Sequence, residues 1–325
     1  MNGAAAVKAS VVILTKNPGP LFRQVLPAVQ AQATPWPFEI VVVDSGSTDG
    51  TVEFVRAALG VRLYQIPAAE FGHGKTRNYA VAQARGEYVA MLTHDALPAD
   101  TDWLRALVEA IDAVPDAAGA FGRHLPYPGN NPFVARDITL HFDNFAAGPA
   151  VVRLDDRERY ARDPGYRQFL HFFSDNNACL RRAVWERIPY PDVDFAEDQL
   201  WARQVLEAGY AKVYADAARV YHSHEYSAGD ALRRAYDESR ALRRLFGYRL
   251  CPSLAQLVAQ SLRCSLRDYR YLLAQRCVLR YSGWLLRMPL HNLYRQIGFY
   301  LGERAPKLGE RVGAALSLDQ AKKSQ

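Results

Sequence analysis

Polar residues with hydrogen-bonding side chains follow an apolar run at residues 40–43. The run, Ile-Val-Val-Val, predicts a fully buried parallel strand, and Asp44, Ser45 and Ser47 come directly after it. A carboxylate at the carboxyl end of such a strand can accept hydrogen bonds from a nucleotide base or a ribose hydroxyl. These residue types also cap helices, so the run by itself is equally compatible with a loop that binds no ligand.

A second run that could do chemistry lies at residues 71–78, with the sequence Phe-Gly-His-Gly-Lys-Thr-Arg-Asn. Glycine lets the backbone approach an anion at the start of a helix, and Lys75 or Arg77 can pair with phosphate. A solvated turn would explain the same residues if the run stood alone. Its position between two predicted strands favours binding of a phosphorylated ligand through Gly74, Lys75 and Arg77.

Strands and helices alternate in the part of the chain that carries these runs, which predicts a doubly wound, mostly parallel α/β sheet. We expect residues 126–163 to be rich in loops and a helix to begin near residues 180–185. The predicted strands are 10–14, 40–43, 61–66, 88–92, 119–122, 211–214 and 219–222. Open sheets of this kind bind ligands at the carboxyl ends of their strands, which is where both runs lie.

The periodicity changes near residue 230, where we expect a boundary between a catalytic domain, 1–229, and a basic amphipathic helical region, 230–325. The second region carries 18 Lys and Arg against 7 Asp and Glu, which suits an anionic partner. A membrane surface, with Tyr281, Trp284 and Phe299 as anchors, is one interpretation. A helical subdomain with solvated arginines is the other. No nucleic-acid-binding module is recognisable, so nucleic acid is not an expected partner.

The composition is that of a globular protein, with 49% hydrophobic and 23% charged residues and a net charge of +6. The four cysteines lack metal-binding spacing and predict reduced thiols in an intracellular protein. We expect no signal peptide, and no apolar stretch approaches the roughly 20 residues that span a bilayer. The expected location is therefore the cytoplasm, with peripheral contact to the inner membrane left open.

Six motifs between residues 10 and 230 resemble those of family 2 glycosyltransferases, which have the GT-A fold. In order they are Thr-Lys-Asn at 15–17, Val-Asp-Ser-Gly-Ser-Thr-Asp-Gly at 43–50, the run at 71–78, Thr-His-Asp-Ala at 93–96, Glu-Asp at 197–198 and His-Ser-His at 222–224. The run at 71–78 is most similar to the bacterial rhamnosyltransferase-like branch. The resemblance implies a GT-A fold and a nucleotide-sugar donor, dTDP-L-rhamnose or a similar compound.

The resemblance also assigns residues to this donor. It places Asp44 against the base, and Ser45 and Ser47 against base or ribose, although a plain helix N-cap is the alternative for Ser47. Asp95 and the run at 71–78 are expected to bind the diphosphate. The full expected donor set is Thr15, Asn17, Asp44, Ser45, Ser47, Gly74, Lys75, Arg77 and Asp95.

Asp95 occupies the position of a carboxylate in the family's D-x-D motif, which holds a divalent cation against the donor's phosphates. Mg²⁺ or Mn²⁺ is expected, because both suit oxygen ligands. Thr93 replaces the first Asp of the motif, so the cation needs a further ligand. His222 and His224 lie two residues apart on a predicted strand and face the same side, so both are candidates. Either could instead be a buried strand residue.

The Glu-Asp pair at 197–198 corresponds to the position of the family's general base. Inverting sugar transfer needs one base to take the proton of the acceptor hydroxyl, and the resemblance implies Asp198. Adjacent carboxylates on a helix point in different directions, so Glu197 needs another role, and both could instead only cap the helix. A polar run after two phenylalanines suits sugar hydroxyls or a turn. The expected acceptor-side residues are Asp175, Asn176, Asn177, Glu197 and Trp201.

The expected function is an inverting, metal-assisted glycosyltransferase that moves a sugar, L-rhamnose by preference, onto a cell-surface polysaccharide or a lipid-linked glycan. Two other classes stay open, an inactive glycan- or nucleotide-binding scaffold and a sugar nucleotidylyltransferase. The expectation depends on three acids that are distant in the chain, Asp44, Asp95 and Asp198, meeting along one edge of the sheet.

Overall fold

The computed structural model describes residues 6–323, which form two compact units, one ending at Ser223 and the other beginning at His224. The first unit is built around a mixed β-sheet, and the second consists of helices and their connections. Within residues 6–323, no helix combines the length and the apolar character that crossing a membrane requires.

In the described part of the chain, the sheet of the first unit has nine strands, and the four on one side of it are parallel. Its strands are β1 (Ala9–Thr15), β2 (Phe38–Asp44), β3 (Val61–Gln65), β4 (Tyr88–Thr93), β5 (Leu97–Pro98), β6 (Ala117–Leu125), β7 (Val151–Val152), β8 (Asn177–Arg181) and β9 (Ala211–Tyr221). Across the sheet the order is β3-β2-β1-β4-β8-β6-β9-β5, with β7 on β9. The strands from β3 to β4 are parallel to one another, whereas β8 is antiparallel to both of its neighbours.

Helices cover both faces of this sheet. They are α1 (Phe22–Gln30), α2 (Thr51–Ala57), α3 (His73–Gln83), α4 (Trp103–Asp112), α5 (Pro132–Ala146), α6 (Arg157–Arg162), α7 (Pro164–His171), α8 (Arg182–Trp185) and α9 (Glu197–Glu207). Successive strand residues point to opposite faces, so Val42 packs in the core that contains α1 and α4, whereas Val41 and Val43 pack in the core that contains α3 and α9. The doubly wound α/β architecture predicted from the apolar runs is therefore confirmed.

Three local predictions need correction. The segment expected to be rich in loops contains α5, whose N-cap, Asn131, accepts hydrogen bonds from the N–H groups of Phe133 and Val134. The helix expected near residue 180 begins only at Arg182, because the preceding residues form β8. The two short strands expected after residue 210 are one strand, β9, whose pairing with β6 shifts register at Gly122.

The second unit contains α10 (Ala228–Phe246), α11 (Leu254–Ala274), α12 (Trp284–Gly302), α13 (Glu310–Leu316) and α14 (Leu318–Lys323). The helices α10 and α12 pack closely, because a Cβ atom at Gly298 would lie 2.2 Å from the carbonyl oxygen of Leu232. Phe299 is buried in the core of this unit, so the prediction that it anchors the chain in a membrane is wrong. Tyr281 and Trp284 are partly exposed.

Candidate active site

The register of the sheet places several predicted site residues at one edge. Thr15 and Asp44 end β1 and β2 and face each other in the parallel pairing. The parallel strand β4 ends at the same edge, two residues before Asp95. Asn177 begins β8 and pairs with Leu92 near the end of β4, so Asp175, two residues before Asn177, lies near the same edge.

The carboxyl end of β9 completes this edge. Tyr221 pairs with Leu125 at the end of β6, and the N–H group of His222 donates to the Leu125 carbonyl oxygen at 2.9 Å. Because β6 and β9 are parallel and β8 runs against β6, His222 lies at the edge that Asn177 also marks. Strand direction alone therefore gathers residues from the first, middle and last parts of the unit.

Asp44 is fully buried and accepts hydrogen bonds from its own chain. The Thr15 hydroxyl donates to Oδ2 at 2.9 Å, and the backbone N–H groups of Gly46 and Ser47 donate to Oδ1 at 3.0 and 2.8 Å. The Ser47 hydroxyl makes a further short hydrogen bond to Oδ2. A base that binds this carboxylate must therefore replace one of these donors, most readily a hydroxyl that can rotate.

The loops that follow β1 and β2 are joined through Asn17 and Ser47. The N–H group of Asn17 donates to the Ser47 hydroxyl at 2.8 Å, and Asn17 Oδ1 accepts from the N–H group of Thr48 at 2.7 Å. The Ser45 N–H group donates to the Thr15 carbonyl oxygen at 2.9 Å. Ser47 does not cap α2, whose N-cap is Gly50. The two loops thus form one preorganised polar surface.

Gly74 lies against the chain rather than against an open space. A Cβ atom on this residue would lie 2.0 Å from the carbonyl oxygen of Pro191. The absence of a side chain therefore serves the close packing of α3 against the loop before α9. Lys75, the next residue, is exposed in the first turn of α3, where an anion would also meet the positive end of the helix.

Replacing Gly74 with alanine is expected to destabilise the fold by about 1–3 kcal/mol, because the added methyl group must displace backbone. Gly283→Ala is a matched control, since a Cβ atom there meets nothing within 4 Å. Chemical denaturation of both variants measures the difference. Equal stability of the two variants would contradict the packing role of Gly74.

Arg77 is the centre of a buried cluster of charges. Its Nε atom lies 2.8 Å from Asp175 Oδ2, and Nη1 lies 2.5 Å from Glu197 Oε1. The Tyr190 hydroxyl donates to Asp175 Oδ1 at 2.6 Å. All four side chains are buried. Arg77 thus forms ion pairs with two carboxylates of its own chain. In this arrangement it is not available to bind the donor phosphate, the partner that the sequence had predicted for it.

Asp198 lies beside this cluster at the start of α9. Its Oδ1 atom accepts from the N–H group of Gln199 at 2.7 Å, and Oδ2 accepts from the N–H group of Asp175 at 3.3 Å. The N-cap of α9, Ala196, has a left-handed backbone with φ of 57°, an unusual conformation for a residue other than glycine. Unlike its neighbour Glu197, Asp198 retains some exposed surface.

Burial and neighbouring charge shift the pKa values of these acids. Burial raises the pKa of Asp198 well above its ordinary value, and Glu197 and Asp175 raise it further. Burial also raises the pKa of Asp175 to about 6, although Arg77 opposes this shift. Burial alone would lower the pKa of Arg77, but Glu197 and Asp175 outweigh it and raise that pKa. The Asp198 carboxylate is therefore a stronger base than an exposed aspartate.

Four of the five residues expected on the acceptor side are buried: Asp175 and Glu197 in the cluster around Arg77, and Asn177 and Trp201 below it. Asn177 has no exposed surface; its amide nitrogen donates to the Ala218 carbonyl oxygen at 2.9 Å, and its oxygen accepts from Trp103 Nε1 at 2.7 Å. Trp201 is also fully buried, and its Nε1 donates to the Ile188 carbonyl oxygen at 2.8 Å. Neither side chain can touch an acceptor here, so both support the site from beneath. Asn176 is partly exposed.

Asp95 and His222 of the first unit form a pair that could hold a metal ion. Asp95 Oδ1 lies 3.6 Å from His222 Nε2. His224, the other histidine expected at the metal, is the first residue of the second unit. The Thr93 hydroxyl nearby is buried without a hydrogen-bond partner among the described residues. One carboxylate with an imidazole suits Mn²⁺ better than Mg²⁺. The residues present therefore fit a divalent cation.

Three further residues shape the site without a clear signal in the sequence. Tyr190 is recognisable only as an aromatic residue between two prolines, and the backbone of Ala196 leaves no trace in its residue type. His124 lies with its ring 5.2 Å from that of His222, and burial lowers its pKa well below the ordinary value. A neutral His124 therefore packs behind the histidine of the candidate metal pair.

Comparison of the sequence with known proteins identifies the family of the chain. The profile of glycosyl transferase family 2 matches residues 10–188. The chain is 33% identical over 236 residues to the O-antigen chain rhamnosyltransferase RfbN of Salmonella typhimurium, with 71% of each chain covered. It is 28% identical over 234 residues to the O-antigen chain rhamnosyltransferase WbaN of Salmonella anatum, covering 67% of this chain and 71% of the relative.

Solved structures share the fold. The mannosyltransferase PcManGT of Pyrobaculum calidifontis, in complex with GDP-Man and Mn²⁺, superposes with a TM-score of 0.57 at 20% identity, covering 93% of this chain and 92% of the other. TarS of S. aureus, residues 1–349 in complex with UDP-GlcNAc, gives a TM-score of 0.50 at 19% identity, with 93% and 92% covered. The GT-A fold predicted from the motifs is confirmed.

Proposed function

Because the chain belongs to glycosyl transferase family 2, we propose that it is an inverting rhamnosyltransferase that uses dTDP-L-rhamnose. The acceptor we propose is a hydroxyl of a cell-surface polysaccharide such as O-antigen, or of its lipid-linked precursor, at the cytoplasmic face of the inner membrane. The activity of the two Salmonella relatives and the run at 71–78 support this choice of sugar.

Asp198 is the general base in this proposal. The observation that carries the assignment is the position of this carboxylate, partly exposed in the first turn of α9 beside the buried Asp175 and Glu197. Its raised pKa supports the assignment. The acceptor oxygen attacks the anomeric carbon of the donor while the bond from that carbon to the diphosphate breaks. The hydroxyl proton passes to the Asp198 carboxylate, and the nucleoside diphosphate leaves. A single displacement inverts the anomeric centre and needs no protein nucleophile.

The remaining residues bind the donor. Asp44 orients the base once a hydroxyl donor turns away, and Lys75 pairs with the diphosphate. Asp95, with His222, would hold a divalent cation, which would supply positive charge against the departing diphosphate. The preorganised loops after β1 and β2 give the nucleoside a rigid surface, which lowers the entropic cost of binding.

Release of dTDP tests the proposal. The protein is incubated with dTDP-L-rhamnose, with and without a glycan acceptor, and free dTDP is measured. Release that requires the acceptor supports transfer. Binding of the donor, seen as a raised melting temperature, without any release would favour the scaffold alternative. Other nucleotide sugars in the same thermal-shift panel test the choice of donor.

Substitution of Asp95 by asparagine is expected to remove most of the additional melting-temperature shift that Mn²⁺ produces together with the donor, because the cation loses its only carboxylate in the candidate pair. His222→Gln should weaken the same effect. Asp155→Asn, an exposed acid outside this pair, is the control. A full Mn²⁺ effect in the Asp95 variant would contradict the assignment.

A further inference from the structure

Helix α11 of the second unit exposes a row of apolar side chains. Each member of this apolar stripe is between 50% and 67% exposed: Leu254, Val258, Leu262, Leu266 and Leu273. The first four recur every four residues, so they follow one side of the helix. A continuous apolar surface of this kind marks a site where something binds, because soluble proteins seldom leave one uncovered.

The side of α11 that packs against α12 contains polar residues. Ser261, Ser265 and Asp268 are buried there. Asn292 of α12 donates hydrogen bonds to Asp268 at 2.8 Å and to Ser265 at 3.3 Å. Helices in an apolar solvent associate through hydrogen-bonding side chains in this way. Leu257 and Leu272 are buried on α11 together with these polar residues. The distribution of residues on α11 thus suits contact with lipid better than contact with water.

The charges beside the stripe indicate which apolar partner fits. Residues 254–302 contain seven arginines and one acid, Asp268, which is buried. At about 100° per residue, Arg263 and Arg270 lie on the part of α11 next to the apolar stripe. Arg267 lies there as well and pairs with Asp268 at 3.2 Å. A second copy of the chain would bring equivalent arginines against these in a symmetric contact, which is unfavourable. An anionic lipid surface is complementary to them.

We propose that the exposed side of α11 lies on an anionic phospholipid bilayer. The apolar stripe enters the boundary between head groups and acyl chains, and the neighbouring arginines reach the phosphates, since their long side chains keep the guanidinium groups in the polar layer. The inference concerns binding to lipid and stands independently of the transfer reaction proposed above.

Flotation with vesicles tests it. The full-length protein should float with vesicles of phosphatidylcholine and phosphatidylglycerol, and much less with phosphatidylcholine alone. Leu262→Glu should weaken binding at least about tenfold, because it places a charge in the boundary layer. Leu140→Glu is the matched control, because Leu140 is 52% exposed on a helix of the first unit. Arg263→Gln should weaken binding about fivefold, and only to anionic vesicles.

Three results would overturn the proposal. One is the absence of binding by the unmodified protein, and another is unchanged binding by Leu262→Glu. The third is a fall in the molar mass of the vesicle-free protein on Leu262→Glu substitution, since this would identify a second copy as the occupant. Release of dTDP with a soluble acceptor should stay unchanged in Leu262→Glu, so a failure of lipid binding is distinguishable from a failure of the proposed activity.

Discussion

Asp198→Asn is expected to lower the rate of sugar transfer by about 10²–10⁴-fold, while the rise in melting temperature caused by dTDP-L-rhamnose is retained. Asparagine has nearly the shape of aspartate and keeps the hydrogen bond to the backbone of Gln199, but it cannot take up the acceptor proton. Release of dTDP and thermal shift measure the two quantities. Full activity of this variant would show that another group is the base.

The dependence of the transfer rate on pH in the unmodified protein should also identify Asp198 as the base. The base must be ionised to act, and the pKa of Asp198 is raised above its ordinary value of 3.8. Activity should therefore fall as the pH is lowered through this raised pKa, so the acidic limb of kcat/KM lies at a higher pH than an exposed aspartate would give. An acidic limb near 4 would contradict the raised pKa.

The same substitution should stabilise the fold at neutral pH. A carboxyl whose pKa is raised in the folded state opposes folding when ionised, and this cost is complete above the raised pKa and absent below the unfolded value. The gain in stability from Asp198→Asn, measured by chemical denaturation, should thus be largest in the pH range above the raised pKa and disappear near pH 4. Asp155→Asn, at an exposed position, should change stability little at either pH.

The residues at the edge of the sheet that carries the site were predictable because their position depends on local sequence. Apolar runs such as residues 40–43 identify strands, and polar residues directly after them lie at the carboxyl ends, wherever the chain later goes. Asp44 and Asp95 therefore came to the same edge as expected. The helix α5 was missed although Asn131-Pro132 is a recognisable N-cap followed by proline at the first helical position.

The partners of Arg77 were not predictable, because they depend on the tertiary fold. Its neighbours along the chain, Gly74 and Lys75, make it part of a phosphate-binding pattern. Its actual partners, Asp175 and Glu197, lie about 100 residues further along. The burial of Trp201 has the same origin, since an aromatic residue on a helix is equally compatible with a pocket wall and a core until the neighbouring elements are placed.

Arg77→Met is expected to destabilise the first unit by about 3–5 kcal/mol at neutral pH, because it leaves two buried carboxylates without their cation. This is a large part of the roughly 5–15 kcal/mol that holds a typical domain folded. Arg105→Met is the matched control, since its ion pair with Asp102 is on the surface, where solvent screens it, and its loss should change stability little. Chemical denaturation at neutral pH measures both losses.

Acid should rescue the Arg77→Met variant relative to the unmodified protein. Burial already raises the pKa of Asp175 to about 6, and loss of Arg77 removes the charge that opposes this shift, so the pKa should rise further. The penalty is then complete above that pKa and shrinks as the pH falls and the carboxyl protonates. Adding Asp175→Asn to Arg77→Met should recover part of the lost stability at neutral pH, because the isolated carboxylate is gone. If the loss of stability in Arg77→Met changes neither with pH nor on addition of Asp175→Asn, Arg77 stabilises the site through packing and not through its charge.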